Sequence, residues 1–252
     1  MKLIVNADDF GYTERVSAGI LRAHHDGIVT ATTFMTNAPH TDGAAKLARA
    51  TPSLDVGVHL VLSYGRPLSD VARVRSLVDA DGKFFRPKEL LSRDVDRTEA
   101  LAEYRAQYEK ARDLLERDPT HLDTHHWVHD HPALEWAISE LARETGAVAR
   151  IHSDEQRDRL RARVVRTPDH FAREFQHEGK IGVEQLLGLF ERLAKRNGIT
   201  ELMCHPGEAD EDMVKKSGYA RERSTELATL TDPRVRAAVK HLGITLATFT
   251  DV

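Results

Sequence analysis

The chain has 252 residues, 40% hydrophobic and 30% charged, with a formal net charge of −4 at pH 7 and one cysteine, Cys204. That length can bury a sizeable core, while the acidic balance argues against a nucleic-acid partner held by global electrostatics, and a lone cysteine excludes an intramolecular disulfide. The N-terminus MKLIVNADDFG does not read as a signal peptide, and no segment approaches the ~20 apolar residues of a membrane span, so a soluble cytoplasmic protein with no membrane partner is expected.

Strand and helix patterns alternate along the chain. Leu3–Ala7 reads as a first strand, and Glu14–Asp26 as a helix with Val16, Ile20, Leu21 and Ala23 at helical spacing, closed by Gly27. Val29–Thr36, rich in β-branched residues, is a second strand; Asp42–Ala50 is a helix ended by Thr51-Pro52; Val56–Leu62 (VGVHLVL) is a third strand. Residues 63–97 break the rhythm with Gly65, Pro67, Gly82 and Pro87, a long insertion of the kind that is usually functional. Thr98–Arg117 follows as a charged helix, then strand His121–Trp127, helix Pro132–Thr145 and strand Val148–His152. The polar, Arg-rich region 153–182 reads as a lid or connection, and its run Arg157–Arg163, interspersed with acid, as a solvated face. Helix Val183–Arg196, strand Glu201–His205, helix Arg234–His241 and strand Ile244–Phe249 complete the chain. Such alternation indicates an α/β fold with a mostly parallel sheet, open or closed as a barrel, in one domain spanning 1–252.

Chemistry-bearing residues fall at the C-terminal ends of these strands: Asp8 and Asp9 after the first, His59 in the third, His125 at the fourth, Arg150 in the fifth and His205 after the sixth. In parallel α/β folds that edge is where active sites are built. Two adjacent carboxylates repel unless a cation offsets them; helix capping accounts for one of them but hardly both. An imidazole flanked by Val58 and Leu60 is costly to bury without a partner. The segment THLDTHHWVHDHP (residues 120–132) carries five histidines, too many for an ordinary polar loop, and alternation places His121, Asp123 and His125 on one strand face. Two imidazoles and one carboxylate make a facial metal set with open positions, leaving the other carboxylate free to act as general base. In MCHPG, Pro206-Gly207 turns the chain directly after His205 and presents it as a proton donor. Cys204 faces away from its neighbour His205, which argues against a Cys-His nucleophile pair. Neither a phosphate-binding G-x-G-x-x-G loop nor a G-x-S-x-G elbow occurs.

Taken together and in order, NADDFG (6–11), VGVHL (56–60), THLDTHHWVH (120–129), MCHPG (203–207) and the closing TFTDV resemble the YdjC-like carbohydrate deacetylases, most of all the chitooligosaccharide deacetylases. The resemblance implies a distorted (β/α) TIM-like barrel, one divalent metal ion (Mg²⁺ or Zn²⁺ among the candidates), and hydrolysis of an N-acetyl group from an amino-sugar substrate. Carried onto this chain, it puts the metal on His59, His125 and Asp9, with Asp8 as general base, His205 as general acid and Arg150 orienting Asp8. One departure stands out: Trp127 occupies the middle position of a segment that commonly reads H-H-H-V-H in the family, adding a surface on which a sugar can stack. Two rivals are a metal phosphoesterase on a similar barrel, which would hold more than one ion, and a sugar-binding protein without turnover. A homo-oligomer is left open.

Overall fold

Strand β1 (Lys2–Phe10) is buried at every position after its first residue, the pattern of a parallel strand covered on both faces. Around it, the computed structural model, described for residues 1–209 and 218–252, arranges β2 (Ala31–Phe34), β3 (Asp55–Leu60), β4 (His121–Thr124), β5 (Val148–Ala149), β6 (His170–Ala172), β7 (Ile199–Cys204) and β8 (Thr245–Ala247) in one sheet. All paired strands run parallel, in the order β5-β4-β3-β2-β1-β7-β6, with β8 beside Lys2–Ile4 and β2 beside the second half of β1. Followed in a circle, this path visits β1 to β7 in chain order, as a barrel does, but β5 and β6 do not pair. The Ala149 N–H instead donates to the carbonyl of Arg166, in the loop before β6. The result is the distorted (β/α) barrel expected from the sequence, open along one seam.

The connecting helices are α1 (Glu14–His25), α2 (Thr41–Ala50), α3 (Pro87–Leu90), α4 (Arg97–Leu115), α5 (Pro132–Thr145), α6 (Asp154–Ala162), α7 (Val183–Leu193), α8 (Arg221–Leu230) and α9 (Pro233–His241). Their starts follow local chemistry. Thr13, Asp96, Ser153 and Asp232 each accept a backbone N–H of the first turn, and Pro132 and Pro233 follow their caps. Because Thr13 caps α1, neither Asp8 nor Asp9 is needed there.

The insertion at 63–97 is tied down rather than loose. The Glu103 carboxylate on α4 accepts the N–H groups of Leu68 and Ser69, and Gln107 brackets the backbone of Val61 with two 2.8 Å bonds. Leu77, Phe84, Phe85 and Leu90 enter the core. The run Arg157–Arg163 is ion-paired along its length, with Asp154, Asp158, Glu135, Asp169 and Glu140, as a solvated face should be. Among the described residues no helix is long and apolar enough to cross a membrane.

Three expectations are corrected, and one helix had no expectation. Strand β4 stops at Thr124 instead of running to Trp127, because His126 and Trp127 both take left-handed backbone, φ 61° each, and turn the chain into a 3-10 segment. Strand β5 covers two residues rather than five, after which the chain turns toward the Ser153 cap of α6. The region 153–182 holds a helix and a strand, α6 and β6, rather than only a lid. Helix α8 carries no apolar stripe to announce it: Arg223, Glu226 and Thr229 are buried beside Leu227 and Leu230.

Candidate active site

Adjacent residues on a strand point to opposite faces, so Asp8 and Asp9 cannot both enter the barrel from regular β1. A register shift between Ala7 and Phe10 and a left-handed backbone at Asp9, φ 74°, resolve this. The bulge brings both carboxylates to the same cavity, where each is almost fully buried. A left-handed non-glycine residue costs about 1–3 kcal/mol and persists only where its surroundings enforce it.

Asp9 Oδ1 lies 3.2 Å from His59 Nε2 and 3.2 Å from His125 Nδ1, and the two ring nitrogens are 3.2 Å apart. The oxygen is buried yet makes no well-aligned hydrogen bond among the described residues. Ligand atoms bonded to one ion at about 2.1 Å, at angles of roughly 90 to 110°, stand about 3.0 to 3.4 Å from each other. Asp9, His59 and His125 therefore fit a divalent cation as a three-donor set. Burial disfavours a charged His59, but Asp123, Asp9 and Asp8 outweigh it and raise its pKa to about 10. The surroundings thus favour positive charge at this point, from a proton or from an ion that displaces it.

His59 is oriented from behind: Asp123 Oδ1 sits 2.6 Å from its Nδ1, and the Thr33 hydroxyl donates to Asp123 Oδ2 at 3.0 Å. A carboxylate behind a ligand imidazole fixes its tautomer and raises its basicity. Asp8, His59 and Asp123 also cluster closely enough to suggest a second cation set. In that set the 2.6 Å His59–Asp123 contact is a hydrogen bond and both carboxylates are already taken by Arg150, so we assign no ion to it.

Asp8 is gripped by Arg150 through two 2.7 Å bonds, and the Asn6 amide donates to it at 2.9 Å. Burial raises its pKa, but the Arg150 pair prevails and holds it at about 2. Arg150 also meets Asp123 at 2.9 Å and Glu201 at 2.6 Å. Glu201, whose pKa burial raises to about 7 against the pull of Arg150, relieves some of the negative charge around that one guanidinium.

His205 directs Nε2 toward Asp8 Oδ2 at 3.8 Å, and among the described residues its Nδ1 has no partner. Burial lowers its pKa to about 4, so it is neutral at neutral pH. Its backbone N–H donates to Glu226, which also accepts the Tyr219 hydroxyl and which burial raises to about 8. One turn earlier on α8, Arg223 donates to Asp9 Oδ2. Burial favours protonated Asp9, yet Arg223 and the two imidazoles hold it well below the usual carboxylate range.

All six site residues named from the sequence, Asp8, Asp9, His59, His125, Arg150 and His205, are brought together. The other histidines of the 121–131 cluster separate. His121 stacks on Phe249 at 3.6 Å and bonds Asn6, His129 is buried against His152, and His131 caps α5; only His126 joins His125 at the cavity wall. Cys204 turns away and donates to the carbonyl of Asn6. Sequence reasoning did not select Asp123, Glu201, Tyr219, Arg223 or Glu226. Asp123 shares a strand face with His125, and that alternation was its available signal; the residues of α8 lie on an element that itself went unread. The cavity, about 500 Å³, is completed by Tyr12, by Tyr64 and Arg86 of the insertion, and by Trp127, Gln176 and His177.

The YdjC-like protein family matches residues 2–241. A carbohydrate deacetylase of Geobacillus stearothermophilus is 38% identical, covering 98% of this chain and 96% of its own. A chitooligosaccharide deacetylase of Yersinia enterocolitica is 37% identical, covering 99% of this chain and 98% of its own. A solved structure from Enterococcus faecalis V583, provisionally named for cellobiose-phosphate cleavage, is 35% identical with a TM-score of 0.92, over 99% of this chain and 98% of that one. A family 4 carbohydrate esterase from Streptomyces lividans shares the fold alone, with a TM-score of 0.54 at 9% identity over 98% of this chain and 92% of that one.

Proposed function

This chain belongs to the YdjC-like protein family, and from that premise we propose that it is a metal-dependent carbohydrate deacetylase. Its reaction removes an N-acetyl group from an amino sugar or short chitooligosaccharide and releases acetate. The observation that carries this reading is the Asp9–His59–His125 triangle of donor atoms, 3.2 Å on each edge, opening on a cavity beside a fixed second carboxylate. The names of the full-length relatives support the sugar amide as substrate.

A divalent ion held by Asp9, His59 and His125 would supply Lewis-acid polarisation of the acetyl carbonyl and a more acidic water. The remaining work falls to the chain. Arg150 keeps Asp8 ionised and immobile, so that it can take the water proton. Asp8, held ionised by Arg150, then hands that proton on to His205, which burial keeps neutral and able to accept it. The 3.8 Å gap between Asp8 Oδ2 and His205 Nε2 closes with a small movement or one water. His205 then protonates the departing amine, which leaves as the free amino sugar. Tyr64, Trp127 and Tyr219 offer ring faces and edges to the sugar. Among the described residues no second metal set favours the phosphoesterase, since the Asp8–His59–Asp123 cluster is consumed by Arg150.

The test is acetate release from N,N′-diacetylchitobiose by chelator-stripped protein, with Mg²⁺, Mn²⁺ or Zn²⁺ restored. Release should need the ion and vanish in His125→Ala. Turnover of p-nitrophenyl phosphate without acetate would favour the phosphoesterase, and tight sugar binding without acetate would favour the non-catalytic protein.

A further inference from the structure

Arg223 has no role in the chemistry described so far, yet it is 5% exposed and its Nη2 donates to Asp9 Oδ2. It is anchored from several directions. Its Nε donates to the Tyr219 carbonyl at 3.1 Å, and its own carbonyl accepts the N–H of Gly207 in the turn after His205. Its guanidinium lies 5.9 Å from the ring centres of both Tyr12 and Tyr219. The two oxygens of Asp9 therefore have different fates: Oδ2 is taken by the guanidinium, and Oδ1, without an aligned hydrogen bond among the described residues, faces His59 and His125.

We propose that Arg223 is a positioning residue that makes Asp9 a one-oxygen ligand, leaving the other coordination positions of the ion for water and substrate. The inference rests on the metal-dependent reading above. A free carboxylate beside a divalent cation can chelate it with both oxygens and fill a position the substrate needs; a guanidinium bound to one oxygen prevents that. The same contact pins the carboxylate of the left-handed Asp9, whose backbone leaves regular strand geometry at the bulge in β1. Helix α8 thereby reaches both ends of the site, through Arg223 to Asp9 and through Glu226 to the backbone of His205.

The test loads metal-free wild type, Arg223→Gln, Arg223→Met and Arg223→Lys with Co²⁺. It reads the visible absorption together with kcat and KM for acetate release, after circular dichroism has verified the fold of each. With Asp9 freed, Arg223→Gln and Arg223→Met should show weaker, shifted cobalt bands, the mark of a higher coordination number. Their kcat should fall about 10- to 100-fold, in line with loss of a group behind a metal ligand, with KM changed less than about 3-fold. Arg223→Lys, which keeps a cationic donor, should recover most of the wild-type spectrum and kcat. Cobalt spectra of Arg223→Gln and Arg223→Met that match wild type would overturn the proposal, as would an Arg223→Lys defect equal to theirs. A wild type that binds no cobalt would overturn the metal reading, and this proposal with it.

Discussion

The two sides of the cavity are built on different principles. On the strand side, Asp8, Asp9, His59 and Arg150 are buried and locked to one another and to Asp123 and Glu201 by contacts of 2.6 to 3.2 Å. On the loop side, Tyr64, Arg86, Trp127, Gln176 and His177 are half-buried or exposed; Tyr64 meets His125, and Trp127 meets His152 and Arg173, through ring contacts rather than shared protons. In the proposed mechanism bond-making tolerates little displacement, and its groups stand on strands whose positions the whole sheet fixes. Ring stacking against a sugar tolerates more, and loops suffice for it. The strand side should therefore govern kcat and the loop side KM.

Substitutions on the two sides sharpen that contrast. The largest effect is expected from Asp8→Asn, which keeps the shape but cannot take a proton. Its kcat should fall about 10²- to 10⁴-fold with KM little changed, in steady-state acetate release. A smaller effect is expected from Trp127→Ala. The indole packs 4.7 Å from the ring of His152 and under the guanidinium of Arg173, and lines the cavity. Loss of a stacking face is worth about 0.5–1.5 kcal/mol, so KM should rise about 2- to 12-fold with kcat nearly constant. If Trp127→Ala lowered kcat more than it raised KM, the division between the two sides would fail.

Much of the strand side can be read in the sequence because strand period, strand ends and chemistry coincide there. His59 within VGVHL and Arg150 after Val148-Ala149 betray themselves by being polar where apolar residues are expected. The bulge at Asp9 is less legible: nothing in NADDFG announces that two neighbours will face the same way, although Gly11 marks the turn that follows. The left-handed pair His126-Trp127 is also hidden, since a bulky Trp rarely takes that conformation and even His does so in a small minority of positions, and strand β4 accordingly reads three residues too long. Helix α8 is the clearest loss. Its inward face carries Arg223, Glu226 and Thr229 beside Leu227 and Leu230, so the usual link between burial and apolarity is broken in the element that holds Asp9 and His205. Charged residues that pair inside a site resemble a solvated face until their partners are known.

The proposed chemistry requires Asp8 and Asp9 to divide the labour, one moving the proton and the other holding the ion. Calorimetric titration of Zn²⁺ into metal-free wild type, Asp8→Asn, Asp9→Asn and His125→Ala tests it directly. One ion per chain in wild type and Asp8→Asn, with none in Asp9→Asn or His125→Ala, is the expected result. Loss of the ion in Asp8→Asn with retention in Asp9→Asn would reverse the two roles, and two or more ions per wild-type chain would contradict the single-ion site.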